Sequence, residues 1–325
     1  MKQFLKFIFQ FFLLLVIAGV IFFFWASSPT LEKSKYEVLS TNNNIILPKN
    51  DSIFSIITYN IGYLSGMTNN LPIPKPKELF DDNLERVLLE IKKVDSDIIA
   101  FQEIDYNAAR SFKINQQDEI AKLGYNYKAQ AVNWDKTYVP FPYWPPSMHF
   151  GKIVSGQSVI SKYPLKEHQR IVLERVADAP FYRDALYLER LAQVVKVTLN
   201  EKDIVLINVH LEAFDKNTRK KQLKEVLTIF KTYKDKFPTI LLGDFNSRAR
   251  DNNAVIQEIF SMDDVGNAGF DEKNPSNTFN SKNPHKRIDY IFYTKNSIDY
   301  VSGKVLTQFG EASDHLPVLM QFKIK

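Results

Sequence analysis

TILLGDFN, residues 239–246, reads as a buried strand from Thr239 to Asp244 that ends in a turn carrying two polar side chains, Asp244 and Asn246. A run that is apolar throughout, with no alternation, belongs to a strand covered on both faces. The pattern recurs upstream: Ser52 to Asn60 (SIFSIITYN) ends in an amide, Ser96 to Glu103 (SDIIAFQE) in an acid, and Ile204 to His210 (IVLINVH) in a histidine. Ligands gather outside strand ends, where the backbone stops consuming its own hydrogen bonds. If these strands share one sheet direction, their polar termini converge on a single patch.

Working outward, residues 82–94 (DNLERVLLEIKKV) place Leu84, Val87, Leu88 and Ile91 at helical spacing, with Asp81 or Asp82 available as cap. Residues 216–232 predict an amphipathic helix rich in Lys, and another helix is expected near 253–260. Val159-Ile160, Leu191 to Leu199, Ile288 to Tyr293 and Pro317 to Phe322 read as further strands. Many short strands with few helices predict an α/β domain in which two sheets pack together and helices cover the outer faces. Residues 62–80, 106–157 and 173–190 are expected to be loops. Within them Tyr138 to Pro146 (YVPFPYWPP) is too rich in proline for a central strand or helix. Such an aromatic cluster either marks a binding surface or folds back onto the domain.

The chain begins differently. Residues 7–26 (FIFQFFLLLVIAGVIFFFWA) are apolar apart from Gln10, and about 20 helical residues span a hydrocarbon core of roughly 30 Å. Lys2 and Lys6 precede the run, which favours a cytoplasmic N-terminus and places the rest of the chain on the far side of the membrane. Bulky IFFFW before Ser27, Ser28 and Pro29 makes a poor cleavage site, so an uncleaved anchor is preferred to a signal peptide. The expected division is an anchor or uncleaved signal over 1–29, a tether over 30–51 and a catalytic domain over 52–325. The formal charge of the 325-residue chain is +5, two of which are Lys2 and Lys6. The remainder is too small to argue for nucleic acid by itself. With no cysteine, disulfides, zinc–thiolate centres and cysteine nucleophiles are excluded.

Taken singly, each polar strand end has an ordinary explanation as a turn former, a cap or a solvated acid. Their order is more telling. YNI at 59–61, QE at 102–103, NVHL at 208–211, GDFN at 243–246, RIDYIF at 287–292 and SDHLP at 313–317 together resemble the endonuclease/exonuclease/phosphatase superfamily, over roughly residues 52–323. The resemblance implies a DNase I-like fold, a four-layered sandwich of two mixed sheets with outer helices, and a metal-dependent phosphoesterase. It implies that Glu103, assisted by Asn60, holds Mg²⁺ or Mn²⁺, with Asp314 beside the metal; hard oxygen donors suit these cations. His315 would take a proton from the attacking water, oriented by Asp289. Asp244 and Asn246 would position water and phosphate, and His210 would donate to a phosphoryl oxygen. A histidine at 210 leans towards the DNase I-like and neutral sphingomyelinase-like branches, since abasic-site endonucleases usually carry tyrosine there.

Arg190 reads either as a second cation near the phosphate or as a surface ion pair, and His149, His168 and His285 as structural. The expected substrate is a phosphodiester outside the cytoplasm, phospholipid or nucleic acid, with the membrane contacted through the N-terminal helix and no protein partner evident. A phosphomonoesterase using Lys152, Arg183 or Arg190 against a sugar or inositol phosphate is an alternative, as is a catalytically inactive binding module. The latter would lack the metal acid or the general base, and Glu103, Asp244, Asp289 and His315 are all present.

Overall fold

The computed structural model describes residues 1–42, 52–251, 254–271 and 276–325. In chain order these form α1 (Lys2–Ser27), β1 (Glu37–Thr41), β2 (Phe54–Asn60), α2 (Lys77–Val94), β3 (Ile98–Asp105), α3 (Gln116–Ala121), β4 (Tyr127–Val139) and β5 (Gly151–Ser161). There follow β6 (Leu165–Val172), α4 (Phe181–Leu186), β7 (Leu191–Leu199), β8 (Lys202–His210), α5 (Lys216–Lys234), β9 (Thr239–Asp244) and α6 (Gln257–Phe260). The chain ends through β10 (Val265–Asn267), β11 (Asp289–Thr294), β12 (Ile298–Val305) and β13 (Val318–Ile324).

Two sheets result, a seven-stranded one ordered β1-β4-β5-β3-β2-β13-β12 and a six-stranded one ordered β10-β11-β9-β8-β7-β6. The period-2 geometry of a strand sends alternate residues to different layers. Ile56, Ile98, Leu206, Ile240 and Leu242 meet between the sheets. Their neighbours point outward: Ile57, Ile99 and Phe101 pack with Phe80, Val87 and Ile91 of α2, and Ile207 and Leu241 pack with Leu223, Val226 and Phe230 of α5. The expected four layers, helix–sheet–sheet–helix, are therefore present.

In each sheet one pair of strands is parallel, β2 with β3 and β8 with β9. Each pair is joined by a helix, α2 or α5. A helical crossover makes both strands run the same way, so Asn60, Glu103, His210 and Asp244 all emerge at one end of the sandwich.

Several elements depart from the sequence reading. The expected loop over 106–157 contains the 13-residue β4 and most of β5, and 173–190 contains α4. β4 mixes half-buried Tyr127, Lys128, Gln130, Lys136, Thr137 and Tyr138 with buried Asn133, Trp134 and Asp135, so the strand lacks the apolar run that marks a central one. α2 starts at Lys77, after Pro76. Asp81 and Asp82 therefore lie inside the helix, where Asp81 pairs with Lys77 at 2.5 Å. The helix expected near 253–260 is the single turn α6; residue 253 lies outside the described residues.

Much of the expected tether is bound to the domain. β1 pairs antiparallel with β4, and the buried Asp135 carboxylate of β4 accepts hydrogen bonds from the Thr30 and Leu31 amides at 2.9 Å and from the Tyr36 hydroxyl at 2.9 Å. Residues 43–51 of that segment lie outside the described residues.

Candidate active site

A cleft of 850 Å³ opens over the strand ends. Asp244 closes β9 in register with His210 of the parallel β8 and with Asp289 of the antiparallel β11. The pairing of strands alone thus places an acid between a histidine and a second acid. Asn60, at the end of β2 in the other sheet, donates from Nδ2 to Asp244 Oδ2 at 3.0 Å and ties the two sheets together at the site. The register of β3 against β5 shifts between Phe101 and Ile104, and Glu103 takes a positive φ of 51° there. Such a bulge re-aims a side chain.

The SDH segment is fixed to this frame by Ser313. Its hydroxyl donates to the Asn60 carbonyl at 2.8 Å and accepts from the His315 amide at 3.1 Å. His315 then lies against Asp289, with Nδ1 3.0 and 3.2 Å from the two carboxylate oxygens. Its Nε2 is turned towards Asp244, 3.8 Å from Oδ2, and Phe279 covers one side with ring centroids 5.0 Å apart. Asn246, also at positive φ, donates from its amide back to Asp244 Oδ1 at 2.9 Å and from Nδ2 to the Leu211 carbonyl at 3.0 Å. That side chain is spent on holding the turn.

Of the expected residues, Glu103, Arg190, His210, Asp244, Asn246, Asp314 and His315 line this cleft, while Asn60 and Asp289 are buried and bonded to Asp244 and His315. Three residues that the sequence does not single out belong with them: Asn69 and Tyr63 line the cleft, and Glu212 stands against Arg190. Asn69 bridges two acids, donating from Nδ2 to Glu103 Oε2 at 3.0 Å and to Asp314 Oδ1 at 3.3 Å. Nothing in GMTNN, residues 66–70, sets it apart from an ordinary turn. Glu212 lies 3.5 Å from Arg190 Nε, and Tyr63, at positive φ, lines the wall. Arg190 is buried, 6% exposed, so it is not a surface ion pair; its Nη1 lies 2.5 Å from His210 Nε2. A guanidinium only donates, so His210 Nε2 accepts in this arrangement. Arg190 would have to turn away before His210 could itself donate to a phosphoryl oxygen. Arg183 lines the same cleft, whereas Lys152 does not. His149, His168 and His285 lie apart, bonded to Tyr138, Gln193 and the Asn283 carbonyl.

Charge crowding gives the site its character. Burial and the neighbouring Asp289 carboxylate push the Asp244 carboxyl up to about 7. Burial and Asp314 push Glu103 up. Burial and the Arg190 guanidinium push His210 well below the usual imidazole value. For His315, burial acts downward, but the carboxylates of Asp289, Asp244 and Asp314 outweigh it and hold the imidazole well above its usual value. Hard oxygen donors whose charged forms are costly side by side are what a divalent cation stabilises. Asp244, Asp289 and His315 offer ligand atoms within 4.8 Å of one another. Asp289 and the His315 Nδ1 are already engaged with each other, which leaves Glu103 and Asp314, linked by Asn69, as the freer oxygen donors. The residues fit a divalent ion.

The sequence model of the Endonuclease/Exonuclease/phosphatase family matches residues 57–315, which include each of these residues. Among solved structures, the chain is similar to an endonuclease/exonuclease/phosphatase from Beutenbergia cavernae (TM-score 0.59, 21% identity, 84% of this chain and 72% of that one). It is similar to the human Nocturnin catalytic domain with bound sulfate anion (TM-score 0.59, 17% identity, 91% and 100%). It is also similar to D. rerio TDP2 complexed with single strand DNA product (TM-score 0.57, 18% identity, 84% and 100%). No curated protein matches the chain. The extent of the family match, over a DNase I-like sandwich with the acids and histidines at one end, makes the chain a member of the endonuclease/exonuclease/phosphatase family and a metal-dependent phosphoester hydrolase.

Proposed function

We propose that the chain hydrolyses a phosphodiester outside the cytoplasm by in-line attack of a water activated by His315 and Asp289. The observation that carries this reading is the pair itself. Asp289 engages His315 Nδ1 and leaves Nε2 as the atom facing the cleft, the arrangement that lets an imidazole accept a proton from water. Asp244 lies 3.8 Å from that nitrogen, its own carboxylate fixed by the Asn246 amide. The Arg190 guanidinium, held between Glu212 and the neutral His210, presents positive charge to phosphoryl oxygens. Glu103 and Asp314, with Asn60 and Asn69 fixing neighbouring carboxylates, would hold Mg²⁺ or Mn²⁺. That ion, when bound, would neutralise charge on the phosphoryl group and the departing oxygen. That the Nocturnin domain carries a bound sulfate anion and TDP2 a single-strand DNA product is in keeping with a phosphoester ligand for this fold.

The extracytoplasmic placement rests on α1, 26 residues long and apolar, with Lys2 and Lys6 at its start. The full chain in detergent should turn over bis-p-nitrophenyl phosphate with added Mg²⁺ or Mn²⁺ and stop with EDTA. Plasmid DNA and phospholipids assayed alongside assign the substrate branch. Phosphate release from monoesters, without turnover of any diester, would replace the diester reading by the monoesterase one.

A further inference from the structure

We infer that the mouth of the cleft is a bilayer-docking surface and that the substrate is a phospholipid of the leaflet at which α1 emerges; this deepens the phosphodiesterase reading and rests on it. Three observations carry it. First, the end of α1 is fixed against the domain. Trp25 stacks on Tyr138 with centroids 5.9 Å apart, Phe23 meets Phe181 of α4 edge-on at 5.6 Å, and the Ser28 and Thr137 hydroxyls are hydrogen-bonded at 3.0 Å. Asp135 clamps the two residues Thr30 and Leu31 just beyond. A membrane-spanning helix held in this way sets which face of the domain meets the lipid.

Second, among the described residues outside α1, the aromatic side chains more than half exposed are Tyr143, Trp144, Phe181, Tyr182 and Phe214, from 51% to 79%. Tyr143, Tyr182 and Phe214 line the cleft, while Trp144 and Phe181 are their chain neighbours. So the exposed aromatics gather at one rim, and one of them touches α1 itself. Rings with a polar edge partition to the lipid–water interface, and a patch of this kind is costly to leave in water.

Third, Trp134, Phe141 and Phe150 line the same cleft as Arg190 and His315. An amphiphile fits this lining, its apolar part among the rings and its phosphate at the guanidinium. Exposed aromatics also stack nucleobases; the docked α1, which a soluble nucleic acid does not call for, decides for lipid.

The chain has no cysteine, so Trp144→Cys creates a single labelling position. Val301→Cys, on β12 at the sheet edge opposite β1, serves as control. With the full chain in liposomes carrying lipid-borne nitroxides, a fluorophore at 144 should be quenched and one at 301 should not. The double variant W144S/F181S should lower phospholipid turnover at least about tenfold more than it lowers turnover of bis-p-nitrophenyl phosphate, because it weakens interfacial anchoring. Equal accessibility of the two labels would overturn the inference, as would an equal loss on both substrates or a selective loss of single-stranded DNA cleavage. Quenching is read without turnover. If the unsubstituted chain hydrolyses neither ester, the phosphodiesterase reading fails by itself and the docking result stands or falls separately.

Discussion

Two residues show how narrowly the site is built. His315 is held above its usual pKa by carboxylates, Asp289 foremost among them, against burial acting downward. As a base it works only deprotonated, so turnover should climb with pH along a limb placed above the ordinary imidazole value near 6.5. Asp289→Asn removes the leading raising charge while burial continues to lower the pKa, so the limb should move to lower pH as the maximal rate falls. A pH–rate profile checks both, and an unmoved limb would deny that Asp289 sets the titration. Gly62 makes a different demand. It has a φ of +53°, and a Cβ there would lie 2.8 Å from Ser313 Oγ and 2.9 Å from Asp314 Oδ1. Gly62→Ala should therefore displace Asp314 and weaken metal activation, seen as a rise in the Mg²⁺ concentration for half-maximal rate, with the fold retained.

At the scale of elements, what was legible in the sequence is what is buried on both sides. β2, β3, β8 and β9 announce themselves as apolar runs ending in Asn60, Glu103, His210 and Asp244, and their parallel pairing brings those ends together. β4 does not, because its outward residues are polar and its partner β1 lies in a segment that reads as a tether. Asn69 and Glu212 were hidden for a related reason: each acts only through a contact distant in the chain, with Glu103 and Asp314 or with Arg190. The junction between α1 and β4 is likewise long-range, and one buried acid of β4 fixes the residues just beyond the helix. Asp135→Ala removes the shared acceptor of the Thr30 and Leu31 amides and of the Tyr36 hydroxyl. Amide exchange at residues 30 and 31 should accelerate while β3 stays protected. Unchanged protection at the junction would mean that its aromatic contacts and the Ser28–Thr137 hydrogen bonds hold α1 without Asp135.

The whole molecule carries a second, independent titration. His168, 8% exposed on β6, lies with Nε2 3.1 Å from the Gln193 Nε2, an amide donor that requires the ring nitrogen to accept. Burial lowers its pKa to about 4. The unfolded chain binds this proton near pH 6.5 and the folded one only near 4, so stability is unaffected above 6.5 and falls as pH drops from 6.5 towards 4. The loss approaches about 3 kcal/mol for a shift of this size. His168→Gln should flatten that part of the stability–pH curve in denaturant melts, and a curve as steep as the parent's would place the acid sensitivity elsewhere. The four layers that make this burial possible were legible from strand and helix periodicity together with the family resemblance. The docking of α1 was not, since hydropathy marks a span without saying what its end touches.

The central claim, that His315 beside Asp289 activates water in a metal-dependent phosphodiesterase, is tested most directly by one rate. Turnover of bis-p-nitrophenyl phosphate by the full chain with Mg²⁺ should fall at least about a hundredfold in His315→Ala, with the melting transition retained. A folded His315→Ala protein that works at near the parent rate would contradict it.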